Sequence, residues 1–219
     1  MKIFPLKHSG FLVELNDHYL LFDFWQAELP LLEATKPMYV FVSHAHHDHY
    51  DPTIKKLNAY YDRCTYLAAE VVDPFYREAK ANRRYRLDDV IVSTLGSTDE
   101  GVAFLVEVEG KKIFHAGDLH LWYWEDDTSA ERADMYQRYL DEIQKLSAEH
   151  IDLAFCVLDN RQDEQVALLG IELLADMVKV DKIMPMHDGF GRSLISQRIK
   201  KSKIADKLLD TRSQKVHEI

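Results

Sequence analysis

The sequence predicts an α/β fold, with sheet in the middle and helices outside. Three observations carry this. Short apolar runs rich in β-branched and aromatic residues are bounded by turn-forming residues. Strand-like runs come first, and strands alternating with helical patterns follow. No linker, repeat or low-complexity stretch divides residues 1–219, so one domain is expected over the whole chain.

The elements follow in order. Met1-Lys2-Ile3-Phe4-Pro5 leads straight into strand-like sequence. Residues 11–15 and 19–23 are apolar and flank Asn16-Asp17-His18, which reads as a β-hairpin. Residues 38–42 (Met-Tyr-Val-Phe-Val) read as a buried strand ending at Ser43. Asp51-Pro52 opens a helix, with proline in its first turn. Residues 102–108 and 112–116 flank Glu109-Gly110-Lys111, a second hairpin. Met135, Tyr136, Tyr139, Leu140, Ile143 and Leu146 recur at helical spacing, which predicts an amphipathic helix from Thr128 to Ala148. A strand at 151–157, a helix at 164–178, a strand at 182–186 and a last helix at 193–208 complete the set. Lys200, Lys201 and Lys203 would form the solvated face of that last helix.

Composition narrows the function classes. Hydrophobic residues make up 47%, enough for a sizeable core. No apolar run approaches the roughly 20 residues that span a bilayer. The N-terminus lacks the apolar stretch and cleavage site of a signal peptide, so a cytoplasmic location without membrane contact is expected. The formal net charge of −10 repels phosphate backbones, so nucleic acid is not expected as a partner. A small anionic substrate stays compatible, because bound metal ions reverse the potential locally. Cys64 and Cys156 sit beside apolar residues and read as buried thiols, without the pairing of a disulfide framework or a zinc site.

Four of the eleven histidines fall within Ser43-His44-Ala45-His46-His47-Asp48-His49. This segment follows a predicted strand, where α/β folds commonly place their sites. Side chains two apart in extended chain point the same way, so His44 and His46 can reach one ion. Asp48 and His49 follow where the chain turns and can face a second ion. Imidazole and carboxylate are ligands that zinc prefers.

His44-Ala45-His46-His47-Asp48-His49 resembles the signature of the metallo-β-lactamase superfamily. The likeness continues through Phe114-His115-Ala116-Gly117-Asp118, a Gly-Asp at a strand end, and Ile183-Met184-Pro185-Met186-His187, a histidine after a short apolar strand. The opening His8-Ser9-Gly10-Phe11 and Leu21-Phe22-Asp23 resemble the branch that includes the L-ascorbate-6-phosphate lactonases. The resemblance covers residues 8 to 191. It implies a four-layer αββα sandwich with a metal centre at one edge. It also implies that His44 and His46 belong to a first metal site, that Asp48, His49 and His187 belong to a second, and that Asp118 bridges them. The expected ions are one or two Zn2+, with Mn2+ or Fe2+ as alternatives.

One departure matters. The family usually carries a third first-site histidine in a Gly-His-Thr-Pro-Gly-like turn. Here the stretch is Leu95-Gly96-Ser97-Thr98-Asp99-Glu100-Gly101, with Ser97 in the histidine's place. His115 and His120 are the nearby substitutes. The resemblance implies metal-assisted hydrolysis of a small ester, lactone or phosphoester, with Asp48 or Asp118 orienting or deprotonating the attacking water. Two other readings stay open. One is a mononuclear iron oxidoreductase on the same scaffold. The other, motivated by Ser97, is a metal-binding member without catalysis.

Other residues keep two readings each. His8 orients a ligand by hydrogen bond or is simply packed. Trp122, Tyr123 and Trp124 wall a pocket or fill the core. Arg161 binds an anionic group or pairs with local carboxylates.

Overall fold

The computed structural model describes residues 1–187, 199–210 and 215–219. The first part of the chain runs β1 (Lys2–Pro5), β2 (Phe11–Glu14), β3 (Tyr19–Phe22), β4 (Met38–Val42), a 3-10 helix (Pro52–Ala59), β5 (Cys64–Ala68) and β6 (Arg77–Glu78). Then come β7 (Arg84–Leu87), β8 (Val90–Gly96), β9 (Val102–Val108), β10 (Lys111–His115), α1 (Ser129–Ile143), β11 (His150–Val157), α2 (Glu164–Met177), β12 (Lys179–Met186) and β13 (His217–Glu218).

These strands build two mixed sheets. The first has the order β13-β1-β2-β3-β4-β5-β6 and the second β12-β11-β10-β9-β8-β7. The first hairpin pairs Phe11 with Phe22, and the second pairs Lys111 with Val108. Beyond these hairpins the pairing turns parallel: β3, β4 and β5 run one way, as do β10, β11 and β12. The C-terminal ends of parallel strands share an edge, and that edge carries the site.

Alternation explains how the sheets pack. In β2 and β4, Phe11, Val13, Tyr39 and Phe41 enter the core between the sheets, where they meet Phe104, Phe114 and Phe155. Leu12, Met38, Val40 and Val42 point the other way, into a smaller core under Ile54 and Leu57 of the 3-10 helix. Phe11 stacks on Phe155 across the sandwich, with centroids 4.1 Å apart. Helix α2 packs on β11 and β12, and α1 is tied to it by Tyr139 donating to the Gly170 carbonyl (2.8 Å). The result is a layered α/β sandwich. On the first sheet's outer side, among the described residues, the helical layer is the 3-10 helix.

Several expectations need adjustment. The segment opened by Asp51-Pro52 is 3-10 rather than α-helical, because it buries only Ile54 and so gains little from an apolar stripe. The expected helix at 193–208 falls partly outside the described residues. Its described part is a three-residue 3-10 turn, Ile199–Lys201, followed by further turns. Its buried anchors Ile199 and Ile204 are five apart, a spacing that no α-helical face provides. The lysines there are exposed, as expected, and Lys203 pairs with Asp176. Cys156 is buried but Cys64 only half so, and both are free thiols. No helix among the described residues is long and apolar enough to cross a membrane.

Candidate metal centre

Six chain segments converge on the shared edge. His8 precedes β2, Asp23 follows β3, and the 43–49 segment follows β4. Asp118 follows β10, Asp159 follows β11, and His187 follows β12. Two groups of ligand-type atoms result: His44, His46 and Asp118 in one, and His8, His49 and His187 in the other, each within 4.8 Å. Asp118 lies between them. Its Oδ2 is 3.6 Å from His44 Nε2, while its Oδ1 is 3.3 Å from His49 Nε2 and 3.5 Å from His187 Nε2.

The donor set fits divalent cations. Nε2 of His8, His44 and His49 and Oδ1 of Asp118 are buried without a hydrogen-bond partner among the described residues. Such orphans are costly unless something outside the protein satisfies them. Two ligands on a tetrahedral zinc with bonds of roughly 2.0–2.1 Å stand about 3.3 Å apart, close to the separations around Asp118.

The opposite ring nitrogens are anchored. His49 Nδ1 donates to Asp23 Oδ2 (2.8 Å), and His187 Nδ1 donates to Asp159 Oδ2 (2.8 Å). This arrangement fixes the ring and the tautomer that leaves Nε2 facing the centre. Asp23 is fully buried, and its carboxylate also accepts from Ser43 N (2.7 Å) and Ser43 Oγ (2.6 Å). His44 Nδ1 sits 2.9 Å from that hydroxyl. Asp159 accepts two bonds from Arg161 Nε, at 3.0 and 2.9 Å.

Strained backbone clusters here. His8, Asp23 and His187 have φ of 55°, 40° and 70°, unusual for residues with side chains. Gly117 (φ 53°) must lack a side chain, since a Cβ would lie 2.8 Å from both Ser43 Cβ and Val102 O.

Electrostatics separates the histidines. Burial, reinforced by neighbouring imidazoles, lowers His8 and His44 to about 4, so both stay neutral at pH 7. Burial also opposes charge on His187, but Asp118 and Asp159 outweigh it and raise its pKa to about 9. Asp118 is held well below the usual carboxylate range, because His187, His49 and His44 outweigh its burial. His8 and His44 thus offer neutral nitrogens, while the carboxylates Asp118, Asp159 and Asp23 favour positive charge on His187 and His49.

The structure brings five of the six expected ligands together: His44, His46, His49, Asp118 and His187. Asp48 is outside both groups. It lies at the rim, partly exposed, with Oδ2 3.5 Å from His8 Nε2, and His8 occupies the second group where Asp48 was expected. His115 is not a substitute ligand: its Nε2 donates to Ser9 O (2.9 Å) and its Nδ1 accepts from Gly117 N (3.1 Å). His120 is turned toward Gln162 Oε1 (2.8 Å). Trp122 is buried with its Nε1 on the Asp118 carbonyl (3.0 Å), whereas Trp124 is exposed. Arg161 pairs with Asp159, the local-carboxylate reading. Asp23 was missed as a positioning residue. It entered the sequence reading only within Leu21-Phe22-Asp23, as part of a resemblance, with no role given to its carboxylate.

Beside the second group a cleft of about 240 Å3 opens, lined by His8, Trp25, His47, Asp48, Asp159, Asn160, Arg161 and His187.

Fold and site define an α/β sandwich protein with a histidine–carboxylate centre at the strand ends. A family model described as the β-lactamase superfamily domain matches residues 2–135. The chain belongs to the metallo-β-lactamase superfamily. A curated relative from Alkaliphilus metalliredigens, a UPF0173 metal-dependent hydrolase, is 29% identical over 143 residues, covering 55% of this chain and 64% of the relative. The chain therefore matches under two thirds of that relative's length. Among solved structures, Igni18, a metallo hydrolase from Ignicoccus hospitalis, aligns with a TM-score of 0.65 at 15% identity over 95% of this chain and 93% of that one. CmlA, a diiron β-hydroxylase from Streptomyces venezuelae, aligns at 0.58 and 11% identity over 86% of this chain and 45% of that one. At such identities these structures speak to fold alone.

Proposed function

We propose that this protein is a metal-dependent hydrolase of a small ester, lactone or phosphoester that carries an anionic group. The observation that carries this is the set of buried, unpartnered ligand atoms, Nε2 of His8, His44 and His49 and Oδ1 of Asp118, gathered around one carboxylate. Bound divalent ions supply Lewis acidity and lower the pKa of water from 15.7 toward about 7. His44, His46 and Asp118 would hold one ion, and His8, His49 and His187, with Asp118 beside them, would hold the other.

Asp48 faces the cleft, and His49 and His8 outweigh its burial to keep the carboxylate ionised. It is therefore an acceptor that orients the attacking water and takes its proton. Trp25 offers the substrate body an apolar wall, while His47, Asn160 and Arg161 face its anionic end. The cleft's size suits a small molecule rather than a polymer. Zinc is the preferred ion for the histidine-rich second group. The likeness to ascorbate-6-phosphate lactonases, carried by His8-Ser9-Gly10-Phe11 and Leu21-Phe22-Asp23, favours a small polar or anionic ester such as a lactone.

The test is metal content in protein purified without added metal, followed by hydrolysis of lactones, carboxylic esters and phosphodiesters before and after chelation. One or two zinc ions per chain and chelator-sensitive hydrolysis are expected. Bound iron with oxygen consumption would replace this reading with the oxidoreductase one. Bound metal with no hydrolysis across the panel would leave a binding protein.

A further inference from the structure

We propose that the acidic turn Asp99-Glu100 supplies a carboxylate that completes the first metal group in place of the absent third histidine. This rests on the metal-centre reading above. His44, His46 and Asp118 form a three-donor group in which His44 Nε2 is buried and unpartnered among the described residues, with Asp118 Oδ2 3.6 Å away. Ser97 stands where the fourth donor is expected, but its Oγ accepts from Asp99 N (3.1 Å) and so closes the turn instead. That turn presents the two acids to the group. Glu100 Oε2 is 3.2 Å from His46 Nε2, close to the spacing of two ligands on one ion.

The turn is held in place. Buried Thr98 donates Oγ1 to the His120 carbonyl (2.5 Å) and accepts from His120 N (3.0 Å), while Arg138 donates to the Thr98 carbonyl (2.8 Å). At the other end Gly101 presses on the metal-bearing segment. A Cβ there would lie 2.0 Å from Ser43 O and 2.6 Å from His44 Cβ. Glu100 therefore sits beside His46, and the turn that carries it packs against His44.

A carboxylate does what a serine hydroxyl does not. Two neutral imidazoles and a carboxylate shared between two ions leave a divalent charge under-compensated, and a second carboxylate corrects this. It also hardens the site, so the first position accepts Mn2+ more readily than a three-histidine site would.

The test uses full-length protein stripped by a chelator and retitrated separately with Zn2+ and Mn2+, reading stoichiometry and affinity by competition with a chromophoric chelator. Wild type is expected to take two ions. The double variant Asp99→Asn with Glu100→Gln is expected to keep the second-group ion and to lose at least about tenfold in affinity for the first. Retention of one ion shows that the variant is folded. Adding Ser97→His in that background restores Zn2+ more than Mn2+. A double variant that binds two ions with wild-type affinities overturns the inference and leaves the metal centre standing. A wild type that binds no ion fails the metal-centre reading itself.

Discussion

Asp159 shows how much a single buried carboxylate governs. It is 2% exposed, and one oxygen, Oδ2, accepts from both the His187 ring and Arg161. Removing its charge frees the imidazole to rotate and to change tautomer without opening a cavity. Asp159→Asn should therefore lower affinity for a divalent ion by about 10–100-fold with an unchanged fold, measured by chelator competition alongside circular dichroism. Wild-type affinity in that variant would show that His187 needs no such anchor. Asp118→Ala removes the carboxylate that, among the described residues, lies between both groups, so hydrolysis should vanish and at least one ion should be lost. Retained turnover would end its central role. At this scale the sequence was legible where ligands are contiguous. His44, His46 and His49 announce themselves within six residues. His8 and Asp23 do not, because each is a lone polar residue beside an apolar strand, and only the packing of both sheets shows what it faces.

The two hairpin turns lie at the end of the sandwich opposite the site, and one side chain clamps them together. Glu109, in the β9–β10 turn, accepts from Asn16 N (2.9 Å) and Asp17 N (2.8 Å) in the β2–β3 turn and from His18 Nδ1 (2.8 Å). Burial opposes its ionisation, but His18 and the two backbone donors outweigh it and lower its pKa below the ordinary 4.5. A carboxylate depressed in the folded state stabilises above its unfolded pKa. That contribution fades as pH falls through the folded value. Glu109→Ala should cost about 1–3 kcal/mol at pH 7, read as a lower denaturant midpoint with an unchanged slope. The gap from wild type should narrow between pH 5 and the acid limit; a gap independent of pH would mean the charge contributes nothing. Both hairpins were legible, since apolar runs flank obvious turn residues. β7 and β8 were not read, although Arg84–Leu87 alternates exposed and buried positions. Its outward arginines mask a short edge strand that only pairing with β8 reveals. The helix expected at 193–208 lies partly outside the described residues; in its described part the buried anchors Ile199 and Ile204 are five apart, and turns form instead of an α-helix.

Across the whole molecule, the centre joins what the core already joins. Phe11 and Phe155 hold the sheets together by stacking in the interior. At the edge, His8, His44, His46 and His49 come from the first sheet's connections, and Asp118 and His187 from the second's. Ions held between them, as proposed above, would cross-link the sheets, and the unfolded chain presents no preformed site. Ligands that bind only the native state stabilise by mass action, by about 4 kcal/mol at a thousandfold excess over Kd. For a chain of this size that corresponds to a rise in melting temperature of about 8–16 °C. Chelation should reverse the rise, and titration with Zn2+ should make the melting temperature depend on free ion concentration. The core should be indifferent to this: Phe155→Ala lowers stability by about 3–5 kcal/mol with or without metal, while Asp118→Ala removes most of the metal-dependent increment and little of the rest. If protein that demonstrably holds two ions melts at the same temperature before and after chelation, the sheets are locked by the aromatic core alone, and the ions sit on a scaffold they do not stabilise.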